Sequence, residues 1–194
     1  MSLPRPTELA HMLLGNHLKP GDLAVDATSG NGHDTVFLAR CVTGTGRIIA
    51  FDIQQAALDA TGSRLADAGL LDRVTLILGS HGTLDDHVPP ERAAAIVFNL
   101  GYLPGANHAV TTMTDVTLRA LERATGRLMP GGLLTVVCYP GHEEGAKEAA
   151  QVEEWFNALV PKNWRITQFG NSVTRKPSPF LLAGVKPGKS GALG

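Results

Sequence analysis

The residues that decide the fold read Val25-Asp26-Ala27-Thr28-Ser29-Gly30-Asn31-Gly32-His33-Asp34-Thr35. An apolar segment precedes this stretch and an amphipathic segment follows it, so it marks the turn from a first strand into a helix. Such a turn lies at the ligand-binding edge of a doubly wound sheet. Gly30 and Gly32 allow the backbone to turn tightly and to approach a ligand without interference from a Cβ atom. The stretch therefore predicts both a fold class and a ligand site.

A carboxylate further along the chain narrows the choice of ligand. Asp52 ends the second predicted strand, 20 residues after Gly32, where a carboxylate accepts hydrogen bonds from ribose hydroxyls. A dinucleotide-binding loop, as in a dehydrogenase, needs a third glycine where Thr35 stands. The carboxylates of Asp26 and Asp34 would also repel a pyrophosphate. They favour a nucleoside ligand that carries an ammonium or sulfonium group.

Apolar clusters alternate with amphipathic stretches along the chain, a pattern typical of βαβ units. We predict strands at 23–27, 47–51, 74–78, 93–98, 133–138, 164–169 and 180–185. We predict helices at 7–17, capped by Thr7, and at 35–40, 55–68, 111–124 and 143–159. Gly126 is expected to end the fourth helix, and Gly131-Gly132 to turn into the fifth strand. Residues 170–179 leave no room for a crossover helix, so the last two strands must form an antiparallel hairpin.

The composition of the chain limits the classes of protein to which it can belong. The chain has 194 residues, of which 43% are hydrophobic and 18% charged, which predicts one folded α/β domain over residues 1–187 with a flexible tail at 188–194. No apolar run approaches the roughly 20 residues that a membrane helix needs, and no secretory signal is recognisable. Cys41 and Cys138 stand far apart without a metal-binding pattern. We therefore expect no metal site, no membrane association and a cytoplasmic location.

Charge is unevenly distributed along the chain. Residues 155–194 carry six basic side chains and no acidic one, whereas residues 1–154 carry 11 basic and 18 acidic side chains. This asymmetry is typical of a surface that binds a polyanion, and it is equally consistent with a solubilising tail. Ser172, Arg175 and Lys176 lie between the last two predicted strands, where they are candidates for contacts with RNA phosphates or bases.

The glycine-rich stretch and Asp52 resemble the first two motifs of the class I S-adenosylmethionine-dependent methyltransferases, and the terminal hairpin resembles the sixth and seventh strands of that Rossmann-like fold. Three motifs together look like the bacterial putative rRNA methylase family: residues 26–35, Asn99-Leu100-Gly101-Tyr102-Leu103-Pro104-Gly105, and Tyr139-Pro140-Gly141-His142. The resemblance implies a seven-stranded, mostly parallel sheet with helices on both faces. It also implies a methyltransferase that acts on RNA, since characterised members of the family methylate the aminomethyl group of a modified wobble uridine in tRNA.

The resemblance assigns roles to particular residues. The candidates for binding S-adenosylmethionine are Asp26, Gly30, Asn31, Gly32, His33, Asp34, Asp52, Gln54, Ser80, His81 and Asn99. In the acceptor site, the Asn99 carboxamide would accept N–H groups of an exocyclic amine and Tyr102 would stack on a base. The amine must lose a proton before it attacks, and the candidate acceptors are Asp34, His81, His142 and water. We favour His142 because it follows the fifth predicted strand.

Other functions stay open at this point. A neutral chain is compatible with a methyltransferase for a small metabolite. The same fold without turnover would be a nucleotide-binding or RNA-binding module. For the RNA enzyme, weak basicity favours a small footprint such as the anticodon stem-loop of tRNA, and pairing into a homodimer would extend that footprint.

Overall fold

The structure is a computed structural model that describes residues 3–101, 114–170 and 177–188. Its strands are β1 (Leu23–Asp26), β2 (Arg47–Asp52), β3 (Val74–Leu78), β4 (Ala93–Asn99), β5 (Leu128–Cys138), β6 (Arg165–Gly170) and β7 (Phe180–Val185). Its α-helices are α1 (Pro6–His17), α2 (His33–Cys41), α3 (Gln55–Asp67), α4 (Leu84–His87), α5 (Thr114–Arg127) and α6 (Glu143–Asn157). Single 3-10 turns lie at Leu71–Arg73, His81–Thr83 and Val160–Lys162. No helix in these ranges is long and apolar enough to cross a membrane.

The strands form one seven-stranded sheet in the order β3-β2-β1-β4-β5-β7-β6. The first five strands are parallel, and β7 pairs antiparallel with both β5 and β6. The predicted fold class is therefore confirmed. Because both faces of the sheet are covered by helices, the central strand β4 is buried from Ala93 to Phe98 instead of alternating. One layer of the core lies under α1, α2 and α3, and the other under α4, α5 and α6.

The boundary between α5 and β5 differs from the prediction. The helix continues past Gly126, and β5 begins at Leu128, five residues earlier than expected. Ala93 pairs with Leu128 and Ala95 with Leu133, so residues 129–132 form an irregularity within the strand. Gly131 adopts a φ of +80° and its N–H donates to the Lys186 carbonyl. The glycine pair therefore bends a continuous strand instead of starting one.

The start of α1 also differs from the prediction. Glu8, instead of Thr7, supplies the cap, because its carboxylate accepts the backbone N–H and the guanidinium N–H groups of Arg5. Helix α2 begins at His33, two residues earlier than predicted, which places Asp34 and Thr35 in its first turn. The predicted tail at 188–194 lies outside the described residues apart from Gly188.

Candidate active site

Three polar side chains meet at one edge of the sheet. Asp26, Asp52 and Asn99 are the last residues of β1, β2 and β4, which are adjacent parallel strands. The chain leaves β1 toward β2 on one side and later returns to β4 on the other, so this edge is the point where the direction of winding reverses. Ligands bind at such points in open α/β sheets.

The glycine-rich loop is fixed against β2 and α3. Asp52 accepts the backbone N–H of Gly30 on Oδ2 and that of Gln54 on Oδ1, both at 2.9 Å. Gly32 has a φ of +78°, and a Cβ atom there would lie 2.8 Å from the Thr61 Cα atom. The loop is therefore a close-packed cradle that only glycine fits. Each Asp52 oxygen retains a second lone pair for a hydroxyl of a ligand.

Asp26 holds the glycine-rich loop in place through two hydrogen bonds. It has no exposed surface, and it accepts the Thr35 hydroxyl at 2.6 Å and the Thr28 backbone N–H at 3.1 Å. Burial, followed by the negative charge of Asp34, raises the pKa of Asp26 to about 7. The geometry shows a residue that holds the loop, and its direct contact with a cofactor remains a prediction.

Asp34 joins the loop to the end of β4. Its Oδ2 accepts the Asn99 side-chain N–H at 3.1 Å, and its Oδ1 lies 2.6 Å from Nε2 of His11 on α1. The Asn99 side chain also hydrogen-bonds the Tyr139 phenol, whose pKa is raised mainly by burial and also by the charge of Asp34. Sequence reasoning missed His11, which no motif marks. It quoted Tyr139 in a motif without assigning it a role.

Two buried polar atoms in the loops around the site have no hydrogen-bond partner among the described residues. They are the Ser29 hydroxyl and Nε2 of His81. His81 is 6% exposed, its Nδ1 lies 3.2 Å from the Ala27 carbonyl, and burial lowers its pKa. A neutral ring that donates from Nδ1 to that carbonyl holds a lone pair on Nε2. Unsatisfied atoms of this kind and the cradle at Gly32 both fit a loop built to receive a polar ligand.

The remaining predicted cofactor residues surround this cradle. The Asn31 carbonyl accepts Nε of Arg64 at 2.8 Å, and His33 is exposed at the start of α2. Ser80 caps the turn at His81–Thr83 by accepting the Gly82 backbone N–H at 3.1 Å. Gln54 is half-buried directly after β2.

A shallow pocket opens beside Asn99, at the ends of β4 and β5. It is lined by Leu100, Gly101, Tyr139, His142, Glu144, Gly145 and Glu148. A Cβ atom on Gly101 would lie 3.3 Å from the Tyr139 ring, so this glycine keeps the pocket wall open. Glu148 is buried and accepts the Thr117 hydroxyl at 2.7 Å. The sequence did not predict this role for Glu148, because an acidic residue on an amphipathic helix gives the same sequence pattern whether its side chain is buried or exposed to solvent.

His142 lies at this pocket as expected, but it also caps α6. Its Nδ1 accepts the Gly145 backbone N–H at 3.1 Å, and that atom lies 3.5 Å from a Glu144 oxygen. An Nδ1 that accepts an N–H has its lone pair engaged, so a proton from the acceptor amine would have to reach Nε2. The role of His142 as general base stays a prediction. Tyr102, Ser172, Arg175 and Lys176 lie outside the described residues.

The two cysteines are free thiols in the described structure. Burial raises the pKa of Cys138 to about 12 and also raises that of Cys41. Neither thiol is therefore activated as a nucleophile.

Comparison with known proteins agrees with this geometry. Residues 48–184 match the family described as "Putative rRNA methylase". The tRNA (mnm(5)s(2)U34)-methyltransferase, chloroplastic, of Arabidopsis thaliana is 36% identical over 92% of this chain and 68% of its own length. Both findings confirm the family resemblance derived from the motifs.

Solved structures resemble the chain over nearly its whole length. A putative rRNA methylase from Clostridium thermocellum has a TM-score of 0.91 at 35% identity, covering 96% of this chain and 100% of that one. A methyltransferase from Streptococcus mutans, solved in complex with SAH, has a TM-score of 0.84 at 33% identity, covering 95% and 99%. In that neighbour, SAH is what remains of S-adenosylmethionine after methyl transfer, and this chain is likewise a methyltransferase. It belongs to the putative rRNA methylase family.

Proposed function

We propose that this enzyme binds S-adenosylmethionine and methylates the aminomethyl group of a modified wobble uridine in tRNA. The observation that carries the proposal is the position of Asn99, whose side chain hydrogen-bonds the Asp34 carboxylate and also Tyr139, which lines the pocket together with His142. The name of the Arabidopsis relative supports the substrate. A carboxamide flanked by a carboxylate suits an amine acceptor, because both groups accept N–H bonds.

The cofactor side of the site would be built from the loop residues. Asp52 would accept ribose hydroxyls, and the backbone of Gly30, Asn31 and Gly32 would approach the ligand closely. Ser80 and His81 would flank the nucleoside, with His33 and Gln54 at the rim. When bound, S-adenosylmethionine supplies an electrophilic methyl group on a sulfonium. The Asp34 carboxylate gives this region a negative potential that suits a cationic ligand, and Asp26 adds to it above its pKa of about 7.

The acceptor side of the site would orient the substrate amine and remove a proton from it. A primary aminomethyl group is largely protonated at neutral pH, so it must lose one proton before its lone pair can attack. The Asn99 Nδ2 group donates to Asp34, which leaves the carboxamide oxygen directed to accept an N–H of the amine. Positioning of this kind accounts for much of the rate acceleration in a displacement reaction. Tyr102 would stack on the base, and His142 or Asp34 would take the proton.

RNA binding would involve the basic residues between β6 and β7. We propose that Ser172, Arg175 and Lys176 contact the anticodon stem-loop, supported by the excess of basic residues after position 154. We also propose that residues 1–187 act as one domain in the cytoplasm, where free thiols such as Cys41 and Cys138 persist. Pairing into a homodimer on the RNA is tested by light scattering with and without tRNA.

The deciding experiment incubates the purified protein with methyl-labelled cofactor and tRNA from a bacterium that lacks its own enzyme of this type. The tRNA is digested, and its nucleosides are analysed by mass spectrometry. Label on an aminomethyl-uridine is expected. If the tRNA stays unlabelled while the cofactor binds, the tRNA proposal is wrong, and rRNA and small amines become the substrates to test.

Separate variants test the acceptor site and the RNA-binding residues. Asn99→Ala should abolish labelling, with cofactor binding measured in parallel by calorimetry. Replacing Arg175 and Lys176 by Ala should weaken tRNA binding and lower the slope of log K against log salt by about 0.9 for each lost phosphate contact. Arg47→Ala is the matched control, because this exposed residue begins β2 at the opposite edge of the sheet.

A further inference from the structure

His11 reaches the site from an element that precedes every motif of the sequence. It lies in α1, and its ring stacks on the Phe37 ring of α2 with centroids 3.9 Å apart and planes 1° from parallel. The stack leaves the ring little rotational freedom. The ring edge is thereby aimed at Asp34, 23 residues away in sequence.

The contact between His11 and Asp34 has a defined direction. An ionised carboxylate only accepts hydrogen bonds, so Nε2 of His11 is the donor across the 2.6 Å separation. The two side chains are 29% and 15% exposed, which shields the pair from water more than a surface ion pair. A short hydrogen bond in such a place holds its acceptor firmly.

Asp34 transmits this restraint to Asn99. One carboxylate oxygen is held by His11, and the other accepts the Asn99 amide at 3.1 Å. The Asn99 backbone is fixed separately, because its N–H donates to the Thr28 hydroxyl at 2.7 Å. The rotation of the carboxamide is therefore restrained by the carboxylate together with the Tyr139 phenol, and the rotation of the carboxylate is restrained by the histidine.

We propose that His11 is a positioning residue, which fixes the Asp34 carboxylate and through it the orientation of the Asn99 carboxamide toward the methyl acceptor. This role rests on the proposed function of Asn99 in binding an amine. Without the His11 donor, the Asp34 carboxylate would be free to rotate, and Asn99 would be held by Tyr139 without a fixed partner on the Asp34 side. A misplacement of about 1 Å at a reacting centre costs as much as 100-fold in rate.

The test uses two changes at one position. His11→Leu keeps an apolar contact with Phe37 but removes the donor, whereas His11→Gln keeps a donor near the place of Nε2. His11→Leu should lower kcat for tRNA methylation at least tenfold, with a much smaller change in KM for the cofactor. His11→Gln should recover most of kcat.

His17→Leu is the matched control. His17 is in the same helix, and its Nε2 lies 3.0 Å from the Ala94 backbone carbonyl, outside the site. Its replacement removes a comparable contact between α1 and the sheet, so it should lower Tm without lowering kcat. An equal loss of kcat in His17→Leu would overturn the proposal, because docking of α1 alone would then explain the effect. Loss of cofactor affinity in His11→Leu with unchanged kcat would overturn it as well.

A second readout needs no substrate. The side-chain amide signals of Asn99 in a ¹H–¹⁵N NMR spectrum should shift in His11→Leu and stay in place in His17→Leu. Unchanged Asn99 signals in His11→Leu overturn the proposal whatever the enzyme methylates. The two proposals can also fail separately. If the Asn99 signals shift in His11→Leu but the wild-type protein fails to label tRNA, the positioning role is supported and the tRNA substrate is wrong.

Discussion

The hydroxyl of Thr35 donates to the fully buried carboxylate of Asp26 at 2.6 Å, which ties the first turn of α2 to the end of β1. This bond closes the glycine-rich loop between the two elements. The loop keeps its shape because its ends are joined below the ligand site, independently of any ligand.

Thr35→Val removes this donor while keeping the volume of the side chain. An oxygen of buried Asp26 then lacks a partner, which should lower the free energy of unfolding by about 1–3 kcal/mol. Urea unfolding followed by circular dichroism measures the change. Thr75→Val, at an exposed position of β3, is the control and should change the stability by less than about 0.5 kcal/mol. Equal effects of the two substitutions would contradict the assigned role.

Asp26 makes stability depend on pH. Its pKa is about 7 in the folded chain, against an ordinary value of 3.8 for the exposed side chain, so between these values the folded state holds a proton that the unfolded state has released. This contribution is fully present below about pH 4 and is lost as the pH rises through 7, by as much as about 4 kcal/mol at 1.36 kcal/mol per pKa unit. Asp26→Asn should therefore flatten the fall in stability between about pH 4 and pH 7, measured by urea unfolding in matched buffers. Parallel pH curves for variant and wild type would show that the carboxyl is ionised throughout.

Gly32→Ala should damage both folding and cofactor binding. The new Cβ would meet the Thr61 backbone at 2.8 Å, in addition to the strain of a φ of +78°. Gly69→Ala separates these effects, because Gly69 has a φ of +66° with no atom within 4 Å of the Cβ position. The control should lose about 1–2 kcal/mol from strain, and Gly32→Ala at least about 1 kcal/mol more. Thermal unfolding and calorimetry with S-adenosylmethionine report the two losses, and a Gly32→Ala variant that binds normally would argue against a close approach of the loop to the cofactor.

Asp52→Asn should weaken cofactor binding. The carboxylate accepts two backbone N–H groups, and a carboxamide must turn its NH₂ group toward one of them. The affinity for S-adenosylmethionine should fall at least about tenfold, which is 1.4 kcal/mol. Asp72→Asn is the charge-matched control, since Asp72 is exposed in the turn before β3. Should both variants lose affinity equally, the effect would come from net charge and not from the loop.

Local sequence patterns predicted the strand and the helix that flank the glycine-rich loop. The stretch at 26–35 and Asp52 could be recognised from local sequence, because each lies at the end of a strand. The ends of neighbouring parallel strands come together once the sheet forms. The start of β5 was missed since Gly131 and Gly132 are typical of turns, and only their pairing with residues after β7 keeps the strand continuous. The short helix α4 was missed as well.

The long-range partners in the site could not be read from the sequence. The contact of His11 with Asp34 joins a leading helix to the glycine-rich loop, and no spacing rule connects the two residues. The same holds for Tyr139 at Asn99 and for Glu148 at Thr117, which depend on how helices pack on the finished sheet. The pattern predicted which edge of the sheet carries the candidate site, and tertiary packing decided which side chains point to it.

The position of β7 between β5 and β6 has a consequence for synthesis in the cell. The strand formed by residues 180–185 is inserted inside the sheet although it is synthesised after the other six strands that the structure describes. Until then β5 and β6 lack their common neighbour, and the edge of β5 is open to pairing with other nascent chains. A chain released before residue 180 is synthesised would leave the edge of β5 unpaired and prone to aggregation, so the sheet is completed only once β7 has been made.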